Sequence, residues 1–252
     1  MLAARPAARR PLCQAELVTA GASPTRAAAF FDLDRTVVAG SSTLAFGRAF
    51  YRAGLVGRGT VIRGAYAQLV ISAAGADAAR MQRMRDYLAQ LSRGWSASRV
   101  SALVDETLPA LITPLVYSEA TELIAEHQRV GRPVVLVSSS GEEVVVPIAA
   151  MLGADHVVAT RMQVAGGHYT GLVERYVDGP RKPDEMRTLA GEHGWDLTAS
   201  YAYSDSVTDL PMLEAVGLPV AVNPDRALRR IARARGWPVR DFSAPGRPPQ
   251  ER

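Results

Sequence analysis

Cysteine is nearly missing from this 252-residue chain: Cys13 is the only one. That excludes a disulfide framework and a thiolate metal cage, and it points to a reducing, cytoplasmic setting. Lysine is equally scarce. Of 29 basic residues only Lys182 is a lysine and the rest are Arg. Solvated positions accept either cation, so a lone lysine suggests a place where a compact ammonium works and a guanidinium fork does not; chance survival is the competing reading of that count. No apolar run approaches the roughly 20 residues of a membrane-crossing helix. His127, His156, His168 and His193 show no metal-ligand spacing, and VSSSGE (137–142) lacks the G-x-S-x-G turn of a serine hydrolase.

Excess charge is also missing from the body of the chain. The formal net charge of +4 comes from the ends, +3 within residues 1–29 and +1 within 246–252. A nucleic-acid binder would carry its surplus on a folded face, so a nucleic-acid partner is excluded. Residues 1–26, basic and Pro-broken without a signal-peptide core, read as a disordered extension, and 245–252 as a flexible tail. The 48% hydrophobic composition suffices for one substantial core, or a core plus a small second domain.

What is present begins with AAAFFDLDRTVVAGSS (27–42). Five apolar residues, too uniform for a half-exposed strand, run directly into Asp32 and Asp34. After Ser42 the pattern turns helical for about 70 residues, with Phe46/Phe50, Met81/Met84/Leu88/Leu91 and Val100/Leu103/Val104/Leu108/Leu111 at helical spacing. That predicts a bundle of about four helices over 44–116. From Ser118 strands and helices alternate: helix 119–131, strand 133–139, a helix over 141–153 that Pro147 shortens or kinks, and strand 155–160. A hairpin follows over 162–173, turning at Ala165-Gly166-Gly167, then helix 182–194, strand 200–205, helix 211–217, strand 218–223 and helix 224–236. The residue before Pro183 is expected to be extended. Such alternation predicts a doubly wound, mainly parallel α/β sheet covered on both faces. The catalytic core is 27–43 with 117–244, and the helical cap 44–116 is inserted after the first strand.

In open α/β sheets ligands bind at the carboxyl ends of the strands. Three predicted strands end there at Asp32, Ser138 and Asp205. Carboxylates from two strand ends repel one another unless a divalent cation joins them, and oxygen ligands with waters suit Mg²⁺. A hydroxyl from Thr36 or Ser138 and the Lys182 ammonium would hold the non-bridging oxygens of a phosphate. One carboxylate can then attack phosphorus, and a second, two residues on, can protonate the leaving alcohol and later activate water.

Here DLDRT (32–36) resembles the DxDxT motif of haloacid dehalogenase superfamily phosphatases. VVLVS (134–138), DGPRK (178–182) and YSDSVTD (203–209) resemble the other three motifs in order, and the insertion resembles the cap of the phosphoserine phosphatase-like branch. The resemblance covers about residues 27–240. It implies Asp32 as nucleophile and metal ligand, and Asp34 as general acid/base with its backbone carbonyl on the metal. It implies Asp205 as the third Mg²⁺ ligand, Ser138 as a phosphate donor and Lys182 as the neutralising cation. Asp209 supports Lys182 or the metal shell, with an N-cap for the next helix as its competing role. Thr36 is supportive, and backbone N–H groups around Ser139 to Gly141 help hold phosphate. The implied activity is hydrolysis of a small phosphorylated metabolite through an aspartyl-phosphate. A phosphomutase or phosphotransferase on the same scaffold, or a silent binding module, are the alternatives. Phosphoserine phosphatases carry a carboxylate soon after the first motif, whereas 37–59 holds no acid and Arg48, Arg52, Arg58 and Arg63 lie nearby. That favours an apolar or anionic remainder over phosphoserine.

Overall fold

The computed structural model describes residues 27–57, 86, 87, 89–243, 245 and 246. The expected extension 1–26, the middle of the expected cap and 247–252 of the expected tail lie outside the described residues.

Seven strands form one sheet in the order β4-β3-β2-β1-β5-β6-β7. They are β1 (Ala29–Phe31), β2 (Val134–Gly141), β3 (His156–Ala165), β4 (His168–Arg175), β5 (Tyr201–Ser204), β6 (Leu218–Val222) and β7 (Val239–Arg240). All pairings are parallel except β3 with β4. The chain builds outward from β1 on one side through β2 and β3, then crosses to the other side for β5 and β6. β1 and β5 therefore flank the point where the order reverses, which is where a doubly wound sheet opens a crevice.

The uniform apolarity of β1 is explained by burial on both faces. Phe31 joins Leu33, Leu136, Ile124 and Ile148 on one face. Phe30 joins Val135, Val137, Met186, Met212 and Leu228 on the other. Each fully buried Phe contributes roughly 1.5–3 kcal/mol relative to exposure. The first face is covered by α1 (Ser42–Arg52), α2 (Ala97–Leu111), α3 (Ser118–Arg129) and α4 (Glu142–Leu152). The second is covered by α5 (Lys182–His193), α6 (Leu210–Glu214) and α7 (Arg226–Arg235). α2 shows how the pattern works: Val100, Val104 and Leu108 repeat every four residues and are its buried positions, and the Ser96 hydroxyl accepts from the Arg99 N–H at its start.

Three local expectations differ from the structure. α4 runs through Pro147 without interruption, because burial of Val144, Val145, Ile148 and Ala149 around it outweighs the lost backbone bond. β3 is one ten-residue strand that continues into the hairpin, which turns on Gly166 and Gly167, both at positive φ. Lys182 is the first residue of α5 rather than extended, its N–H held by the Asp178 carbonyl at 2.8 Å.

The segment after β1 is folded tightly on itself. Val37 and Val38 both donate to the Leu33 carbonyl, and Arg35 sits at φ 66°. Ala39 donates to Leu115 and Tyr117 donates to Val37, so the chain leaving after 38 and returning near 116 runs side by side.

Candidate active site

β1 delivers Asp32 to the sheet's carboxyl edge, and the Asp32 N–H still bonds the Tyr203 carbonyl of β5. Its side chain is buried. One oxygen accepts from the Lys182 ammonium at 2.6 Å and the other from the Thr36 hydroxyl at 3.2 Å. Lys182 is only 2% exposed and donates its second bond to Asp209 at 2.7 Å. The same Asp209 oxygen accepts from Ser204 at 2.8 Å. Asp209 also stands at the N-cap position of α6, but its side chain makes no bond to the helix start.

The electrostatics follow from this crowding. Burial pushes the Asp32 carboxyl up to about 8; Lys182 opposes that, and the charges of Asp209 and Asp205 reinforce it. Burial also pushes Asp205 up to about 7, countered chiefly by Arg35. Burial alone would lower the pKa of Lys182, but Asp209 and Asp32 outweigh it and raise it. The ammonium therefore stays charged, whereas Asp32 and Asp205, crowded around one another in a buried place, hold their protons to higher pH than a free carboxyl does.

Asp205 follows β5 and pairs with the exposed Arg35 at 2.9 Å. Asp34 lies apart from this cluster. Its two oxygens accept from the Ser42 N–H at 2.8 Å and the Ser140 hydroxyl at 3.2 Å. Ser138 is buried at the end of β2, its hydroxyl accepting from the Ser140 N–H at 3.1 Å, while the Ser139 side chain is exposed. Asp32, Thr36, Lys182 and Asp209 thus touch directly, and Asp205 lies close enough to shift Asp32; the Ser139 side chain does not join them.

Several residues that fix this geometry escaped the sequence reading. A Cβ on Gly179 would fall 2.0 Å from the Thr208 carbonyl oxygen, so only glycine lets the loop before Lys182 rest on the turn carrying Asp209. Asp225 caps α7 through the Leu228 N–H, holds the Val207 N–H at 2.8 Å, and donates its own N–H to the Asp205 carbonyl at 2.7 Å. The N-P-D run before a helix signals the cap but not its second task. Ser204 lay inside the fourth motif without an assigned role.

Among the described residues no three His, Cys, Asp or Glu side chains form a ready metal cage. Mg²⁺ does not need one: it binds through one or two carboxylates and keeps several waters. Asp32 and Asp205, two buried carboxyls held above their ordinary range, fit such an ion, which would favour their charged forms. A cavity of about 610 Å³ lies between α2, α4 and the β3–β4 hairpin, and neither Lys182 nor Asp32, Asp34, Asp205 or Asp209 lines it. Glu142 and Glu143, in the turn just after the serine run, line it with Ser98, Val146 and Tyr169. Among the described residues no helix is long and apolar enough to cross a membrane.

Comparison with known proteins agrees with this architecture. A Streptomyces azureus protein named "Inhibition of morphological differentiation protein" is 59% identical over 88% of this chain and 80% of its own. A Mycobacterium tuberculosis protein named "Phosphoserine phosphatase SerB1" is 35% identical over 86% of this chain and 71% of its own. A Bordetella pertussis structure of unknown function superposes with a TM-score of 0.77 at 30% identity, covering 86% of this chain and 99% of that one. A phosphoserine phosphatase solved as a phospho-aspartyl intermediate analogue shares the fold, with a TM-score of 0.64 at 20% identity over 88% of this chain and 95% of that one. Residues 29–214 match the family described as haloacid dehalogenase-like hydrolase, and the chain belongs to that family.

Proposed function

We propose that this chain is a Mg²⁺-dependent phosphatase that hydrolyses a small phosphomonoester through an aspartyl-phosphate on Asp32. The observation that carries the reading is the Lys182 ammonium held between Asp32 and Asp209 at the sheet's carboxyl edge. A solvated or capping role would not bury a lysine between two acids. The phosphatase class also agrees with the relative named phosphoserine phosphatase.

In this reading an Asp32 carboxylate oxygen forms a bond to phosphorus as the ester P–O bond breaks, and Asp34 gives its proton to the departing alkoxide. Asp34 then takes a proton from water, the water oxygen attacks phosphorus, and the Asp32–phosphorus bond breaks to release inorganic phosphate. Lys182 neutralises the phosphoryl charge during transfer, Ser138 and the backbone N–H groups of 139–141 at the start of α4 hold its oxygens, and Thr36 orients Asp32. Asp32, Asp205 and the Asp34 carbonyl would hold Mg²⁺, which supplies charge for the phosphoryl oxygens and lets neighbouring carboxylates stay ionised. In this reading the inserted segment 44–116 is the cap, and the single cysteine suits a reducing cytoplasm. The acid-free stretch after the first motif favours a substrate with an apolar or anionic remainder.

A phosphate-release screen over phosphorylated metabolites tests this, with and without Mg²⁺, for the natural chain and Asp32→Asn. Mg²⁺-dependent release that disappears in the variant is expected. Equal slow release by both would overturn the reading, and transfer of phosphate to a second substrate hydroxyl without free phosphate would replace it with a mutase.

A further inference from the structure

The serine run at the end of β2 does more than the reaction above requires. Ser138 and Ser140 are buried and Ser139 is exposed, in the stretch where the pairing of β2 with β3 shifts register. Ser138 is the serine that the reading above assigns to phosphate; Ser140 reaches Asp34 instead.

The hydrogen-bond capacity of Ser140 is fully used, and in only one arrangement. A hydroxyl has one proton and two lone pairs. Its proton goes to Asp34 at 3.2 Å. The Thr43 hydroxyl donates to it at 3.1 Å. The Ser42 hydroxyl lies 3.3 Å away, and with the Ser140 proton committed to Asp34, Ser42 must be the donor. Ser42 is fully buried, and its own N–H holds the second Asp34 oxygen at 2.8 Å. Both oxygens of the carboxylate are therefore gripped by groups from two distant segments, the end of β2 and the first turn of α1.

Resting on the reading that Asp34 protonates the leaving group, we propose that Ser140 is a positioning residue for that proton transfer. Its hydroxyl, itself aimed by Ser42 and Thr43, sets the direction in which the Asp34 carboxyl faces the departing oxygen. Asp34 is not tethered to Lys182, so this cradle fixes its orientation. The cradle also ties the acid to the first helix after the insertion point, so a displacement of α1 would release Asp34.

The test exploits leaving-group chemistry. An alkyl phosphate such as glycerol 2-phosphate expels an alkoxide that must be protonated; p-nitrophenyl phosphate expels a stable phenolate. General acid–base transfer is worth roughly 10²–10⁴-fold, and loss of one of two anchors should remove about tenfold of it. The measured quantity is the ratio of kcat/KM for the alkyl ester to that for the aryl ester, with Mg²⁺ present. Ser140→Ala should lower this ratio about tenfold, Thr43→Val should lower it by less, and Ser140→Thr, which keeps the hydroxyl, should hold it near the natural value. Equal losses on both esters, no change in ratio, or a Ser140→Thr ratio as low as that of Ser140→Ala would overturn the proposal. If Ser140→Ala does not fold, Thr43→Val, on an exposed residue, carries the test. Undiminished turnover by Asp32→Asn would instead sink the parent reading, whatever Ser140 does.

Discussion

Two buried polar clusters meet β5, one at Ser204 and the other at Tyr203, and they treat charge in opposite ways. The first is Lys182 with Asp32, Asp209 and Ser204. The second is His127, whose ring meets Tyr203 at 2.8 Å and Arg132, under the stack of Phe31 on Tyr203. A guanidinium only donates, so the His127 Nδ1 accepts from Arg132 and the Nε2–H donates to Tyr203. Burial, helped by Arg132, lowers His127 to about 4, and burial raises the Tyr203 hydroxyl. That cluster has shed the charges it could shed. The Lys182 cluster keeps its ammonium charged, because Asp209 and Asp32 outweigh the cost of burying it. Desolvation makes such retention expensive, and replacing a buried ion pair by apolar residues is often neutral or stabilising. Charge kept inside a sheet edge therefore marks chemistry, whereas neutralised polar groups beneath it mark packing.

The sharpest way to break this contrast is Asp32→Asn. Loss of the proposed nucleophile should lower kcat by on the order of 10⁴-fold or more, while far-UV circular dichroism stays native. Lys182→Ala should lower kcat about 10²–10³-fold. It should also cost about 3–5 kcal/mol in denaturant unfolding, because it strands two buried carboxylates. Tyr203→Phe should do the reverse, costing about 1–3 kcal/mol of stability through the bond left open at His127 with kcat/KM unchanged.

The two clusters also predict opposite pH slopes in metal-free protein. Asp32 and Asp205 stand at about 8 and about 7, above the ordinary 3.8, so the folded chain binds more protons than the unfolded one between those limits. Stability from these groups is full below pH 3.8 and is lost as pH rises toward 8. His127 is lowered from 6.5 to about 4, so its contribution is full above pH 6.5 and is lost as pH falls through 4. Thermal midpoints in chelator should fall from pH 5 to pH 8, and Asp205→Asn should flatten that fall. His127→Gln should instead remove a rise between pH 4 and pH 6.5. The smallest expected effect is in substrate choice. Phosphoserine should be turned over less efficiently than uncharged or acidic phosphomonoesters, and a strong preference for it would show that ammonium recognition comes from outside the stretch 37–59.

Much of this was legible in the chain because its signals are local. A strand buried on both faces must be uniformly apolar, and AAAFF is. Acids placed directly after such strands must face the edge where the strands end, and Asp32 and Asp205 do. The lone lysine was readable because the other basic residues are all Arg. What escaped is tertiary: the carbonyl of Thr208 against Gly179, the second task of Asp225, and the reach of Ser140 to Asp34 all depend on segments that meet only after folding. Pro147 and the residue before Pro183 misled for the same reason. Local preference disfavours helix at both places, and surrounding packing and hydrogen bonds overrule it.

The most direct test of the central claim is to trap the phosphorylated carboxylate. Asp34→Asn should still be phosphorylated by p-nitrophenyl phosphate, whose phenolate needs no acid, but should fail to activate water. Borohydride reduction and peptide mass spectrometry should then find homoserine at position 32. Release of the phenolate with residue 32 unmodified, or reduction at another acid, would contradict the account.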